Sequence, residues 1–283
     1  MEKSDFLMPV DTNIKLSDVI LSDENTEKVQ LFIRELEHKK EFAKYGLTNL
    51  NRLLFFGASG TGKTFLAKAL SNHIKYRLLY IDIAQALSDN NVAQNMADIF
   101  KVAAEWKNCI IFLDECDSIT MSRYGMNYDD SAQVRRATNS LFQQLDQMSP
   151  DNVFIAATNL LYKIDPAFER RMNLKLEFRR PQLTLKESAA RFIKPGFKII
   201  DDVDDTTSDI VDSRAADNKK LSYYEIQGLI ERAMKDAILH GKTEIRTSTI
   251  YMSLSKALNM KLRFKTDTDP EEMYQSPVDN FNR

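Results

Sequence analysis

The run Leu53-Leu54-Phe55-Phe56 leads directly into Gly57-Ala58-Ser59-Gly60-Thr61-Gly62-Lys63-Thr64, and a helix-forming stretch, Phe65 to Leu70, follows. Strand, glycine-rich turn and helix in that order match G-x-x-x-x-G-K-[ST], the phosphate-binding loop. Glycines let the backbone wrap a phosphate chain with its N–H groups pointing inward, where a Cβ would obstruct. The helix N-terminus adds partial positive charge at the same point. Lys63 is expected to reach the β- and γ-phosphates, and the Thr64 hydroxyl to ligate a divalent cation. Residues Gly57 to Phe65 are therefore read as a nucleoside triphosphate site.

The rest of the chain alternates in the same style. Leu53–Phe56, Leu78–Ile83, Cys109–Leu113, Val153–Ala157 and Leu174–Phe178 read as strands. Helical stretches fall around 63–75, 93–106, 131–147 and 166–171 between them, and helical spacing runs from Glu24 to Lys44 ahead of them. This predicts an α/β fold with a doubly wound parallel sheet, whose ligand crevice lies at the carboxyl ends of the strands. After Pro181 the pattern becomes helical: Leu183–Ile193, an amphipathic Leu221–His240 closed by Gly241, and Thr247–Leu258. The acidic stretch Asp201–Asp212 reads as a solvated loop or helix edge. The expected domains are an N-terminal segment (1–22), a large nucleotide-binding domain (23–181), a small helical lid (182–263) and a polar tail (264–283).

A net charge of −2 gives no general attraction for nucleic acid or anionic membrane. Cys109 and Cys116 fit neither a disulfide framework nor a metal site, and His38, His73 and His240 are scattered. With no apolar run of membrane length and no signal peptide at the start, a cytoplasmic location is expected.

The run Cys109–Leu113 ends in Asp114-Glu115, as a buried strand carrying a Walker B motif would. Asp114 is placed to hold Mg²⁺, and Glu115 to orient and deprotonate the attacking water. An Asp-Glu pair after a strand also caps helices. The next strand ends in Thr158-Asn159, where a polar tip could align that water or simply turn the chain. Then Asp165-Pro166-Ala167-Phe168-Glu169-Arg170-Arg171 offers two adjacent arginines. Such a pair is either solvated surface or charge supplied to a neighbouring subunit's phosphoryl group.

Taken together these residues resemble the AAA+ ATPases, and within them the AAA clade proper, over about Leu16 to Leu258. The resemblance also draws on Leu47, on Asp114-Glu115-Cys116-Asp117, on Asn139 to Asp146 and on Ala156-Ala157-Thr158-Asn159. It implies an ATPase using ATP and Mg²⁺, with Asn159 as sensor 1 and Arg170 and Arg171 as the arginine-finger pair. It further implies a homohexameric ring, with the sensor 2 region at Leu221 to Ile226 opening the lid helix. The expected catalytic set is Lys63, Glu115, Asn159, Arg170 and Arg171, with Thr64 and Asp114 on the metal.

Departures from the family pattern bear on function. The first pore loop, at Leu87 to Val92, has no aromatic, and no arginine lies in Ser222 to Glu225. The second pore loop falls within Thr120 to Asp130, and Glu169 and Met172 flank the arginines where bulky apolar residues are usual. The leading reading is a ring-forming remodeller of a separate protein substrate or adaptor. Only residues 1–15 precede the first family-like element, so no substrate-selecting N-terminal domain is expected. The resemblance extends to small bacterial relatives of the HORMA-domain remodellers, some serving anti-phage systems. A DNA-associated transposition or replication factor, or a helicase-like ATPase, is the alternative. Nucleic-acid and membrane partners are not expected.

Overall fold

The computed structural model describes residues 7–10, 13–47, 51–81, 83, 92–120, 131–180, 184–217 and 221–258. The chain divides into two compact units, one ending at Arg179 and the other beginning at Arg180.

The first unit is built on one sheet of six strands: β1 (Leu7–Val10), β2 (Arg52–Gly57), β3 (Arg77–Ile81), β4 (Cys109–Leu113), β5 (Val153–Thr158) and β6 (Leu174–Phe178). Their order is β1-β3-β4-β5-β2-β6. The five strands from β2 onward are parallel to their neighbours, in the order 2-3-4-1-5 when β2 is counted first. This is the doubly wound sheet that the sequence predicts. The addition is β1, which pairs antiparallel with β3 along Leu7↔Ile81 to Val10↔Leu78 and gives the N-terminal segment a place in the sheet.

Strands covered on both faces read as continuous apolar runs, and successive side chains divide between the faces. Leu53, Phe55, Ile110, Phe112, Val153 and Ile155 belong to one core with residues of α1 (Asp23–Glu37) and α3 (Lys63–Ile74). Leu54, Ile111, Leu113, Phe154 and Ala156 belong to the other. That core includes residues of α4 (Val92–Trp106), α5 (Ser131–Gln147) and Phe168 of α6 (Pro166–Glu169). Burying such side chains contributes roughly 1.5–3 kcal/mol each.

The helical stretch expected from Glu24 to Lys44 is broken. His38, at φ −100° and ψ 15°, ends α1 and starts α2 (Lys39–Lys44). Its ring bonds back to the Arg34 carbonyl at 2.9 Å. Beyond the break, Lys39 reaches Asp151 at 3.0 Å and the Tyr76 hydroxyl at 3.3 Å. Periodicity carries through such a break unchanged, so the sequence pattern alone does not show it.

The second unit contains α7 (Leu185–Phe192), β7 (Lys198–Ile200), α8 (Asp205–Asp217), α9 (Tyr223–Leu239), β8 (Glu244–Arg246) and α10 (Thr247–Ala257). Its helical character was expected; the parallel β7–β8 pair was not. Capping boxes open α7 at Thr184 with Glu187 and α9 at Ser222 with Glu225. The α9 stripe buries Ile226, Leu229, Ile230, Ala233 and Ala237, but Ile238 lies off it and is 60% exposed. Of the acidic stretch, Asp205 onward forms the start of α8, while Asp202 accepts from the Ser248 hydroxyl at 2.7 Å.

Burial raises the Asp212 carboxyl above its ordinary value, against the pull of the Leu185 N–H and the Tyr251 hydroxyl that donate to it at 3.0 Å each. A raised acid binds its proton more tightly folded than unfolded, so it weakens folding as pH rises past its ordinary value. Asp212→Asn keeps a hydrogen-bonding side chain without the charge. Its thermal midpoint is therefore expected to be no lower than wild type at pH 7, with any advantage shrinking as pH falls and Asp212 takes up its proton. A variant markedly less stable than wild type at neutral pH would refute this.

Candidate active site

Three strand ends converge on one point: the carboxyl ends of β2, β4 and β5. After β2, Gly57 (φ 139°), Gly60 (φ 72°) and Gly62 (φ 105°) take backbone conformations that disfavour a Cβ. At Gly57 the constraint also comes from the next strand. A Cβ there would lie 2.0 Å from the Phe178 carbonyl oxygen of β6. Within the loop, the Thr61 hydroxyl donates to the Ala58 carbonyl at 2.7 Å and is buried with its residue. Ser59, Gly60 and Phe65 are exposed.

Gly62 is the N-cap of α3, so Lys63 and Thr64 occupy its first turn. Lys63 Nζ donates to the Gly57 carbonyl at 2.8 Å, the Ala58 carbonyl at 2.8 Å and Asn159 Oδ1 at 2.7 Å. The residue is only 7% exposed. Burial pulls its ammonium below the usual lysine value, and Asp114 and Asp117 partly oppose that. A phosphate chain meeting this group meets a fixed, largely desolvated positive charge.

On β4, the Thr64 hydroxyl donates to Asp114 Oδ2 at 3.0 Å, and the Glu115 N–H donates to Asp114 Oδ1 at 2.9 Å. Glu115 then turns sharply, at φ 48° and ψ 41°, and is exposed. A non-glycine residue in this left-handed region costs roughly 1 kcal/mol or more. Neighbouring Asp117 accepts from the Thr158 hydroxyl at 2.7 Å, and that hydroxyl accepts from the Leu160 N–H at 2.9 Å. Asp117 thus braces the tip of β5 that carries Asn159. The sequence reading did not single out this role, although the Asp114 to Asp117 run and Thr158 were both in view.

The structure therefore brings Lys63 onto Asn159 and Thr64 onto Asp114, with Glu115 next in chain. Arg170 and Arg171 make none of these contacts; they follow α6, which Asp165 caps by accepting from the Ala167 N–H at 2.6 Å. The segments expected as pore loops, Leu87 to Val92 and the part of Thr120 to Asp130 beyond Thr120, lie essentially outside the described residues, as does the tail from residue 264. Ser222 and Glu225 of the sensor 2 region form the cap of α9, each accepting from the other's end of the box.

A hydroxyl and a carboxylate 3.0 Å apart are hard oxygen donors suited to Mg²⁺. Among the described residues no group of three or more His, Cys, Asp or Glu could cage a metal. Mg²⁺ takes few protein ligands and completes its shell with phosphate and water oxygens. When bound, such an ion offsets charge on the β- and γ-phosphates. No described helix is long and apolar enough to cross a membrane.

Residues 53–180 match the family model for AAA, the ATPase family associated with various cellular activities. An uncharacterised AAA family ATPase of Sinorhizobium fredii is 27% identical over 86% of this chain and 71% of its own length. A Methanocaldococcus jannaschii protein named for homology to 26S proteasome regulatory subunits is 29% identical over 59% of this chain and 45% of its own length.

Proposed function

From the premise that residues 53–180 form an AAA-family ATPase module, which binds and hydrolyses ATP, we propose that the chain is an ATP-driven remodeller of a partner protein. AAA ATPases generally oligomerise, and the proposed working form is a homohexameric ring with hydrolysis sites shared between neighbours. In each site Lys63 and the α3 N-terminus bind and orient the phosphates, and Thr64 and Asp114 hold Mg²⁺. Glu115 takes a proton from the attacking water, Asn159 helps to align that water, and the next subunit supplies arginine charge from the Arg170-Arg171 pair.

The observation that carries this reading is the arginine pair itself. Arg170 is exposed on a well-anchored segment and, among the described residues, makes no hydrogen bond with the Lys63 cluster of its own chain. An intersubunit site needs an arginine presented outward in this way. The named homology of the M. jannaschii relative to proteasome regulatory subunits lends support to a protein as cargo. A HORMA-domain partner, a folded adaptor separate from this chain, is the specific form of that proposal.

The test is a hydrolysis trap. In ATP, Glu115→Gln is expected to form a ring-sized species that retains a protein partner, and to release it in ADP. Steeply salt-sensitive, ATP-dependent retention of DNA instead would redirect the assignment to a nucleic-acid ATPase. Full turnover by a monomer would remove the ring.

A further inference from the structure

The two adjacent arginines are held in opposite ways. Arg171 grips Asp146 of α5 as a fork, Nε to Oδ1 and NH2 to Oδ2, both at 3.0 Å. Its NH1 donates to the Ala167 carbonyl at 3.0 Å, and its guanidinium lies 4.6 Å from the centre of the Phe142 ring. Phe142, also on α5, stacks on Phe168 of α6 at 6.1 Å. Among the described residues, the one hydrogen bond of the Arg170 guanidinium runs from Nε to the Pro166 carbonyl at 3.2 Å. Its NH1 and NH2 make no hydrogen bond among the described residues.

The segment around Arg170 is pinned at each end. The Asp165 N–H donates to the Thr120 carbonyl at 2.7 Å, Glu169 pairs with Lys175 at 2.8 Å, and the Asn173 N–H donates to the Arg52 carbonyl at 2.9 Å. Asp146 also approaches Arg52, NH1 to Oδ1 at 3.8 Å, and Arg52 is a buried residue at the start of β2, the strand that runs into the phosphate loop. Asp146 therefore joins the phosphate-loop strand to the arginine segment. The Arg171 fork pulls the Asp146 carboxyl below its ordinary value.

We infer that Asp146 is a positioning residue for hydrolysis: it locks Arg171 as a strut, so that Arg170 alone is presented to the neighbouring site. The inference rests on the shared-site reading above and assigns different work to the two arginines. A bidentate pair backed by an aromatic face fixes a guanidinium in direction as well as distance. Arg171 cannot reach outward without giving up that set of contacts, whereas Arg170 gives up one.

The test compares kcat and KM for ATP in Arg170→Ala, Arg171→Met, Arg171→Lys, Asp146→Asn and the Asp146→Asn/Arg171→Met double variant. Removing a finger arginine is expected to lower kcat about a hundredfold or more for Arg170→Ala. Misplacement without removal is expected to cost about tenfold in kcat for Arg171→Met and Asp146→Asn, with KM within about twofold. The double variant is expected to be no worse than the weaker single, because both changes break one fork. Arg171→Lys, which keeps one charged donor, is expected to fall between Arg171→Met and wild type.

Wild-type kcat in Asp146→Asn, alongside an Arg171→Met loss as large as that of Arg170→Ala, would overturn the inference and make Arg171 a direct participant. Wild-type kcat in both arginine variants would instead sink the shared-site reading, and the positioning role with it. Should Asp146→Asn fold poorly because Arg52 loses its partner, Arg171→Met decides, since it leaves the Asp146–Arg52 pair in place.

Discussion

Glu115→Gln is expected to lower kcat for ATP about a thousandfold, with nucleotide affinity within a few-fold of wild type. General-base catalysis by a positioned carboxylate is worth roughly 10²–10⁴ in rate. The amide keeps the size of the side chain but cannot take the proton. Binding is expected to survive because the proposed phosphate contacts are those of Lys63 and the loop backbone, and the hydrogen bonds of Glu115 run through its own backbone, N–H to Asp114 and carbonyl from the Ser118 N–H. Steady-state turnover together with fluorescent-nucleotide binding checks both halves. Unchanged kcat would remove Glu115 from the mechanism; lost binding would make it a structural residue of the β4 turn.

Gly57→Ala is expected to damage the fold itself. The added methyl would sit 2.0 Å from the Phe178 carbonyl oxygen and 2.9 Å from its carbon, both backbone atoms that cannot swing away. The residue also sits at φ 139°, outside the range an L side chain favours. Overpacking and backbone strain together are expected to cost about 3 kcal/mol or more. Gly241→Ala is the control: at φ 67° its Cβ would meet nothing within 4 Å, so only about 1 kcal/mol of backbone strain is expected. Thermal or urea unfolding separates them. Equal losses would mean that β6 yields and that Gly57 serves the phosphate alone.

This glycine shows where sequence reasoning stops. The motif predicts a phosphate beside Gly57, and the structure adds a second constraint from β6, a strand more than a hundred residues away in the chain. The five parallel strands were legible because each is an apolar run bounded by turn or helix signals. Their tips carry the motif residues, so the contact of Lys63 with Asn159 and of Thr64 with Asp114 follows once the sheet order is known. Antiparallel β1 was not legible: a four-residue strand with a proline, paired far along the chain, leaves little local pattern. Nor was the β7–β8 pair, whose strands have three residues each. Arg170 and Arg171 look alike in sequence. They part company only because the fold sets Asp146 beside one of them, and nothing in the local spacing says which.

The β1–β3 ladder has a consequence for how the first unit assembles. It joins segments roughly seventy residues apart, and closing so long a loop for a ladder of four residue pairs brings little early reward. The parallel strands gain buried area on both faces as they associate, whereas β1 adds to an edge that must already exist. In a folding experiment β1 is therefore expected to arrive late, and in native-state hydrogen exchange to leave early. Amides of Leu78 and Tyr80 in β3, which face β1, are expected to exchange faster than those of Ile110 and Phe112 in central β4. The strand that closes the sheet's edge would then also be the place where it first comes open.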